Sequence, residues 1–224
     1  MIALLCLLLV QDTAEATFKK IEDALKKADT IKVVMSGAAE MASQGMSMKA
    51  SFDGTLLLKG ADKIRVTMKV KEGEEEPVEM GVVASDGKMN GSASAAGPTP
   101  ANLRDDLVTL LPRLGAAVAM QAALDAGAGR KKELKAEISN LASKGVANGV
   151  GTLTFDVAFD GVAWKTTLGY DEKTHRLLTL ATRVVPKDPS STGKAGLSRT
   201  ISETLKVEVG GDIADKDFDP APAK

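Results

Sequence analysis

The chain of 224 residues is poor in the side chains that do most enzyme chemistry: it has one cysteine, Cys6, and one histidine, His175. The zinc sites built from several Cys and His ligands are therefore excluded. Aromatic residues make up only 3% of the sequence. Neither sign of charge is in excess, with 29 Lys and Arg against 30 Asp and Glu. The basic surplus of a general nucleic-acid binder is missing, so no nucleic-acid partner is expected. No repeat period, coiled-coil heptad or low-complexity tract is present.

What the chain does have is an apolar fraction of 44%, enough for a sizeable core, and nine methionines. Methionine fills irregular apolar space and adapts to varied partners, although any single one is more often ordinary core filler. The run Ile2 to Val10 is interrupted only by Cys6. It is too short to cross a bilayer, which takes about 20 apolar residues, but it fits the apolar region of an export signal. Ala14-Glu15-Ala16 has the small-x-small form of a cleavage site, while no Lys or Arg precedes the run. The other reading of the run is an N-terminal strand or helix turn. Leu5 before Cys6 disfavours lipid attachment there. Residues 1–16 are therefore read as a signal peptide and 17–224 as one domain, exported to the periplasm or its equivalent. Removal of the signal leaves a mature chain without cysteine, and so without disulfide or thiol chemistry.

Periodicity divides the remainder. Asp12 as N-cap and Glu15 three residues later form a capping box for a helix over Thr13 to Lys27, with Phe18, Ile21, Ala24, Leu25 and Ala28 at helical spacing. Cleavage after Ala16 would remove that cap. Strand alternation follows in Met46, Met48, Ala50 and Phe52, continuing through Leu56 and Leu58. Ile64, Val66, Met68 and Val70 alternate with Lys63, Arg65, Thr67, Lys69 and Lys71, one buried face and one wet face. Glu72 to Glu79 reads as a solvated connection, Met80 to Ala84 as a short strand, and Ser85-Asp86-Gly87 as a turn.

Gly91 to Pro100 reads as a flexible loop. A helical insertion is expected around residues 100–142. Thr99 is placed as N-cap with Pro100 at the first helical position. Leu103, Leu107, Leu110, Leu111, Leu114 and Val118 form one stripe. Pro112 should kink this helix, its Ala- and Gly-rich end should pack loosely, and Lys131 to Ala142 should add a second helix. Strands resume with Leu153, Phe155, Val157 and Phe159, the hairpin turn Asp160-Gly161, and the return strand Val162, Trp164, Thr166 and Leu168. Asp171 to Thr174 is a turn, Leu177 to Val185 a strand, Pro186 to Arg199 a polar loop, and Leu205, Val207 and Val209 a final strand.

This order predicts an α+β fold, mainly β: a curved antiparallel half-barrel with an N-terminal helix and an inserted helical lid. The dry face of such a sheet must be covered, and the inserted stripe is the evident cover. The hollow between them suits a lipid or acyl chain. The candidate lining is Met46, Met48, Phe52, Leu56, Leu58, Ile64, Val66 and Met68 from the sheet, with Leu107, Leu110 and Leu114 from the lid. No catalytic or metal site and no cofactor is expected. His175 falls in a turn, Asp156 and Asp160 project from the wet side of their strand, and Gly127-Ala128-Gly129-Arg130 lacks the Lys-Ser/Thr of a phosphate loop.

Several stretches together resemble the LolA-like lipoprotein-carrier family. Phe18 to Thr30 leading into Ile31-Lys32-Val33 is similar to its opening helix and strand. Gly54-Thr55-Leu56-Leu57-Leu58-Lys59, followed by Lys63-Ile64-Arg65-Val66, resembles its Gly-x-Leu-x-x-Lys strand pair. Val83 to Lys88 resembles its Val-Ser-Asp-Gly-Lys turn, and Asp171 to Thr174 its Asp-x-x-Thr turn. Gly211 to Phe218, before Pro220 and Pro222, resembles its closing segment. Gly60 stands where the family has the arginine on which its lid closes, and Met89 where it has Trp or Tyr. The resemblance implies a hydrophobic half-barrel and does not imply which cargo; the expected partners are lipid or lipoprotein acyl chains, with the protein a monomer. The same fold also serves RseB-type sensors, which bind a membrane-protein partner instead. N-terminal sequencing of the protein from its native cell is expected to begin beyond Val10 and to find no cysteine; intact Met1 in the cytosol would remove the carrier reading.

Overall fold

The computed structural model describes residues 12–43, 46–91, 94–130, 134–185 and 198–219. The apolar run with Cys6, residues 186–197, Pro220, Pro222 and the side chain of Met46 lie outside the described residues. The chain begins with helix α1 (Ala14–Lys27), then strands β1 (Thr30–Ser43), β2 (Met46–Lys59), β3 (Lys63–Glu72), β4 (Val78–Ser85), β5 (Lys88–Gly91) and β6 (Ser94–Pro98). Helices α2 (Leu103–Leu114) and α3 (Ala116–Gly127) follow, then β7 (Ala136–Ala147), β8 (Val150–Phe159), β9 (Val162–Asp171), β10 (Leu177–Val185) and β11 (Ser198–Val209). A 3₁₀ turn, Asp215–Phe218, comes last.

All the strands join one antiparallel sheet in the order β6-β5-β4-β3-β2-β1-β11-β10-β9-β8-β7. The sheet is curved and unclosed, which bears out the expected half-barrel. β1 pairs with β11, so the first and last strands lie at the centre, while the strands flanking the helices form the two edges. Two-residue turns set the register. Asp86-Gly87, Asn148-Gly149 and Asp160-Gly161 all have both φ angles positive, the geometry that matches the twist of the strands they join. Phe52, Leu56, Leu58, Ile64, Val66 and Met68 are all buried, whereas Lys69 stands in solvent on the opposite face.

That outer face carries a clasp. Lys59 and Lys63 both reach Asp215, at 2.8 and 2.9 Å, and Lys59 also donates to the Ile213 carbonyl at 2.7 Å. Arg65 donates to the Asp217 carbonyl at 2.8 Å. The clasp seats Phe218, which is buried. The two ammonium groups pull the Asp215 carboxyl down to about 2.

Several expectations need correction. The N-cap of α1 is Thr13, whose hydroxyl accepts from the Ala16 N–H at 3.1 Å; Asp12 is drawn away to Lys20. Residues 94–98 are strand β6, paired with β5, where a loop was expected. Asn102, not Thr99, precedes the second helix; Thr99 is still held against the β4–β5 turn, its N–H donating to the Gly87 carbonyl at 2.9 Å. Lys131 to Ala142 does not form a helix: residues 136–147 are the edge strand β7, and residues 131–133 lie outside the described residues. Two register shifts and a positive φ at Asn140 break its alternation. Such bulges re-aim an edge strand and blunt it against unwanted pairing.

The break between α2 and α3 falls at Gly115, with Pro112 buried inside α2. Gly115 has φ 91° and ψ 176°, a backbone state open only to glycine. A Cβ there would stand 1.5 Å from Glu203 Oε1. Glu203 accepts the first two N–H groups of α3, from Ala116 at 2.9 Å and from Ala117 at 3.0 Å. The Ala-rich α3 is not loose. Ala116, Ala117, Ala119, Met120, Ala122, Ala123 and Gly127 are all buried, because small residues let the helix approach the sheet closely. At Gly54 and Gly127 a Cβ would meet Met120 Sδ at 2.8 Å and Val82 Cγ2 at 2.6 Å. Gly115→Ala is expected to lower stability by about 3 kcal/mol, read from the midpoint of urea unfolding, because it strains the backbone and expels the Glu203 cap together.

Candidate functional site

The concave face of the sheet is filled at one end and open at the other. At the filled end, Leu56, Leu58, Ile64 and Val66 belong to one buried cluster with the apolar residues of α1 and α2. Leu107, Leu110 and Leu114 are fully buried there, at 0% exposure. Arg113 ties these helices together. Its guanidinium donates to Glu22 Oε1 of α1 at 2.7 and 2.9 Å, and also to the Ala136 carbonyl of β7. Phe18 of α1 packs edge-on to Phe155 of β8, with ring centroids 5.2 Å apart.

At the open end lies a cleft of ≈ 650 Å³. Its floor is formed by Met41, Met48, Phe52, Met68 and Trp164, and one wall by Ala117, Val118 and Ala122 of α3. Thus α2 covers the half-sheet β7 to β10, and α3 covers β1 to β6 and β11. The cleft is the space that α3 leaves uncovered near the strand ends. Its size falls within the ordinary range for small-molecule sites, and its lining is mainly apolar with a few polar groups.

The residues named from the sequence divide accordingly. Met48, Phe52 and Met68 line the cleft, as does Val118. Leu56, Leu58, Ile64, Val66, Leu107, Leu110 and Leu114 stand in the closed core and contribute nothing to the cleft surface. The inserted stripe of α2 is therefore a core pillar, and the wall of the hollow belongs to the alanine-rich helix after it. Strand parity assigns a residue to a face; it does not say how far along the strand the cover reaches.

Two further residues of the site, Trp164 and Arg199, and the residue that holds its wall, Glu203, escaped the sequence reading. Trp164 is 6% exposed, and its indole Nε1–H is buried with no hydrogen-bond partner among the described residues. Arg199, placed in a loop from the sequence, lies at the start of β11 with its guanidinium 5.9 Å from the centre of the Trp164 ring. Partial burial lowers its pKa. Glu203 shares the parity of Ile201, Leu205 and Val207, all buried. A carboxylate on the apolar side of a strand was the available signal.

Glu203 fixes the position of α3 and hence of the cleft wall. Burial pushes its carboxyl up from 4.5 to about 7, and the two backbone N–H bonds offset that only in part. The folded state therefore holds this proton more tightly than the unfolded chain does. The resulting stabilisation is fully present below pH ~4.5 and is lost as pH rises through ~7, a swing of about 3 kcal/mol. Glu203→Gln has no such titration. The difference in unfolding free energy between wild type and this variant is expected to shift by about 3 kcal/mol in favour of the variant between pH 4.5 and 8. A constant difference across that range would show that Glu203 does not titrate there.

No protein-family model matches the chain, and no curated protein matches it. Solved structures are similar to it. A LolA superfamily protein from Nitrosomonas europaea is 12% identical with a TM-score of 0.36, over 94% of this chain and 99% of that one. LprF from Mycobacterium bovis is 11% identical with a TM-score of 0.43, over 94% and 97%. In the Pseudomonas aeruginosa MucA/MucB complex the matching chain is 11% identical with a TM-score of 0.35, over 93% of this chain and 61% of that one.

Proposed function

We propose that the protein is an exported carrier that binds the apolar part of a lipid, or of a lipoprotein's acyl chains, in the concave cleft and passes it on. The observation that carries this reading is the cleft itself, a preformed concavity floored by three methionines, Phe52 and Trp164. Methionine surfaces adapt to flexible apolar partners. The motif resemblance to the lipoprotein carriers points the same way.

A binding role also suits the polar groups that could have suggested chemistry. His175 lies outside the cleft, stacked on Tyr170 with ring centroids 6.0 Å apart. Asp156 accepts a hydrogen bond from Asn140 at 2.7 Å. Among the described residues, no helix is long and apolar enough to cross a membrane, and the export signal is proposed for residues 1–16.

Val118 is half-buried and borders the cleft, so a larger side chain there fills the hollow while sparing the core. Wild-type protein is expected to bind a neutral apolar dye such as N-phenylnaphthylamine with a rise in fluorescence. Val118→Trp should weaken that binding about tenfold with little change in melting temperature. Leu110→Ala should instead cost about 3 kcal/mol of stability. Wild-type protein that binds no dye, and that releases no lipid to solvent extraction, would sink the carrier reading in favour of an RseB-type interaction role.

A further inference from the structure

Among the described residues, the charged groups lining the cleft are mostly carboxylates: Glu72, Glu75 and Glu76, together with Asp125 and Asp160, against the guanidinium of Arg199. Glu72, Glu75 and Glu76 are exposed, and none of them forms an ion pair with a described residue. Asp125 is engaged by Arg130 at 3.2 Å. Arg199 is held over the Trp164 ring, so its charge is partly met by the aromatic face. A concave, low-dielectric cleft focuses the field of the carboxylates at its mouth.

We infer that the cleft selects a cationic amphiphile: an apolar chain joined to a positively charged head. The inference rests on the proposed binding role and adds the chemistry of the occupant. The chain lies over the methionines, and the head sits among Glu72, Glu75 and Glu76. A chain ending in a carboxylate, sulfate or phosphate meets repulsion at the same mouth.

Four ten-carbon probes test this on the full mature chain by calorimetry, below their micelle concentrations: decanoylcholine, decyltrimethylammonium, decyl maltoside and decyl sulfate. At low ionic strength decanoylcholine should bind at least about tenfold tighter than decyl maltoside, and decyl sulfate weaker than either. The preference for the cation over the maltoside should shrink severalfold in 0.5 M salt and in the triple variant Glu72→Gln, Glu75→Gln, Glu76→Gln. These side chains are exposed, so the variant should melt as wild type does. Decyltrimethylammonium should share the preference shown by decanoylcholine, because the charge of the head sets it. Equal binding of all four probes, or a preference for decyl sulfate, would overturn the inference and leave the carrier reading standing. If decyl maltoside also fails to bind, the carrier reading falls with it.

Discussion

The arrangement of the concave face depends on one contact, the meeting of Glu203 with the backbone at Gly115. A helix N-terminus exposes N–H groups that need acceptors, and here they turn inward, toward the sheet. Glu203 supplies both acceptors from a strand position otherwise reserved for apolar residues. Without an acceptor at that point the helical segment could not break beneath the sheet, because two donors would be buried unsatisfied. The break redirects the chain, so α2 fills one end of the half-barrel and α3 walls the other. The hollow follows from an electrostatic need met inside the core.

How much of this was legible in the sequence depended on the length scale of each signal. Alternation across Ile64, Val66 and Met68, and the Asp160-Gly161 turn, are local, and the fold obeys them. Asn148-Gly149 is as strong a turn signal as Asp160-Gly161, but it was hidden by the helical reading of the preceding segment. That reading failed because the bulges of β7 remove the period-2 pattern that would have identified a strand. The extent of the hollow was not legible at all. Phe52 and Leu56 share a face of β2, yet one borders the cleft and the other is sealed under helices. Only the three-dimensional path of α3, set by Gly115 and by its close approach at Gly54 and Gly127, separates the two.

The short motifs that suggested a family gain meaning from the clasp on the outer face. Lys59 and Lys63 belong to one motif and Asp215 to another, more than a hundred residues later, and they meet in ion pairs. Each motif is unspecific alone. Together they fix the closing segment across β3 and β4, on the side away from the cleft. Their contacts hold the architecture, and such contacts mark a fold without marking an occupant.

The pairing of β1 with β11 has a consequence for how the chain reaches this fold. Each half of the sheet is a run of neighbouring hairpins, β1 to β6 and β7 to β11, whose pairings are close in sequence. The seam between them joins Ile31 to Val209, nearly the full length of the described chain. Contacts so far apart form slowly, since loop closure precedes any gain from pairing. On a ribosome the first six strands are complete while β1 still waits for its second neighbour, with an unpaired edge and a dry face uncovered. Such a chain remains open until its last strand arrives, a kinetic state compatible with threading through a narrow channel before assembly.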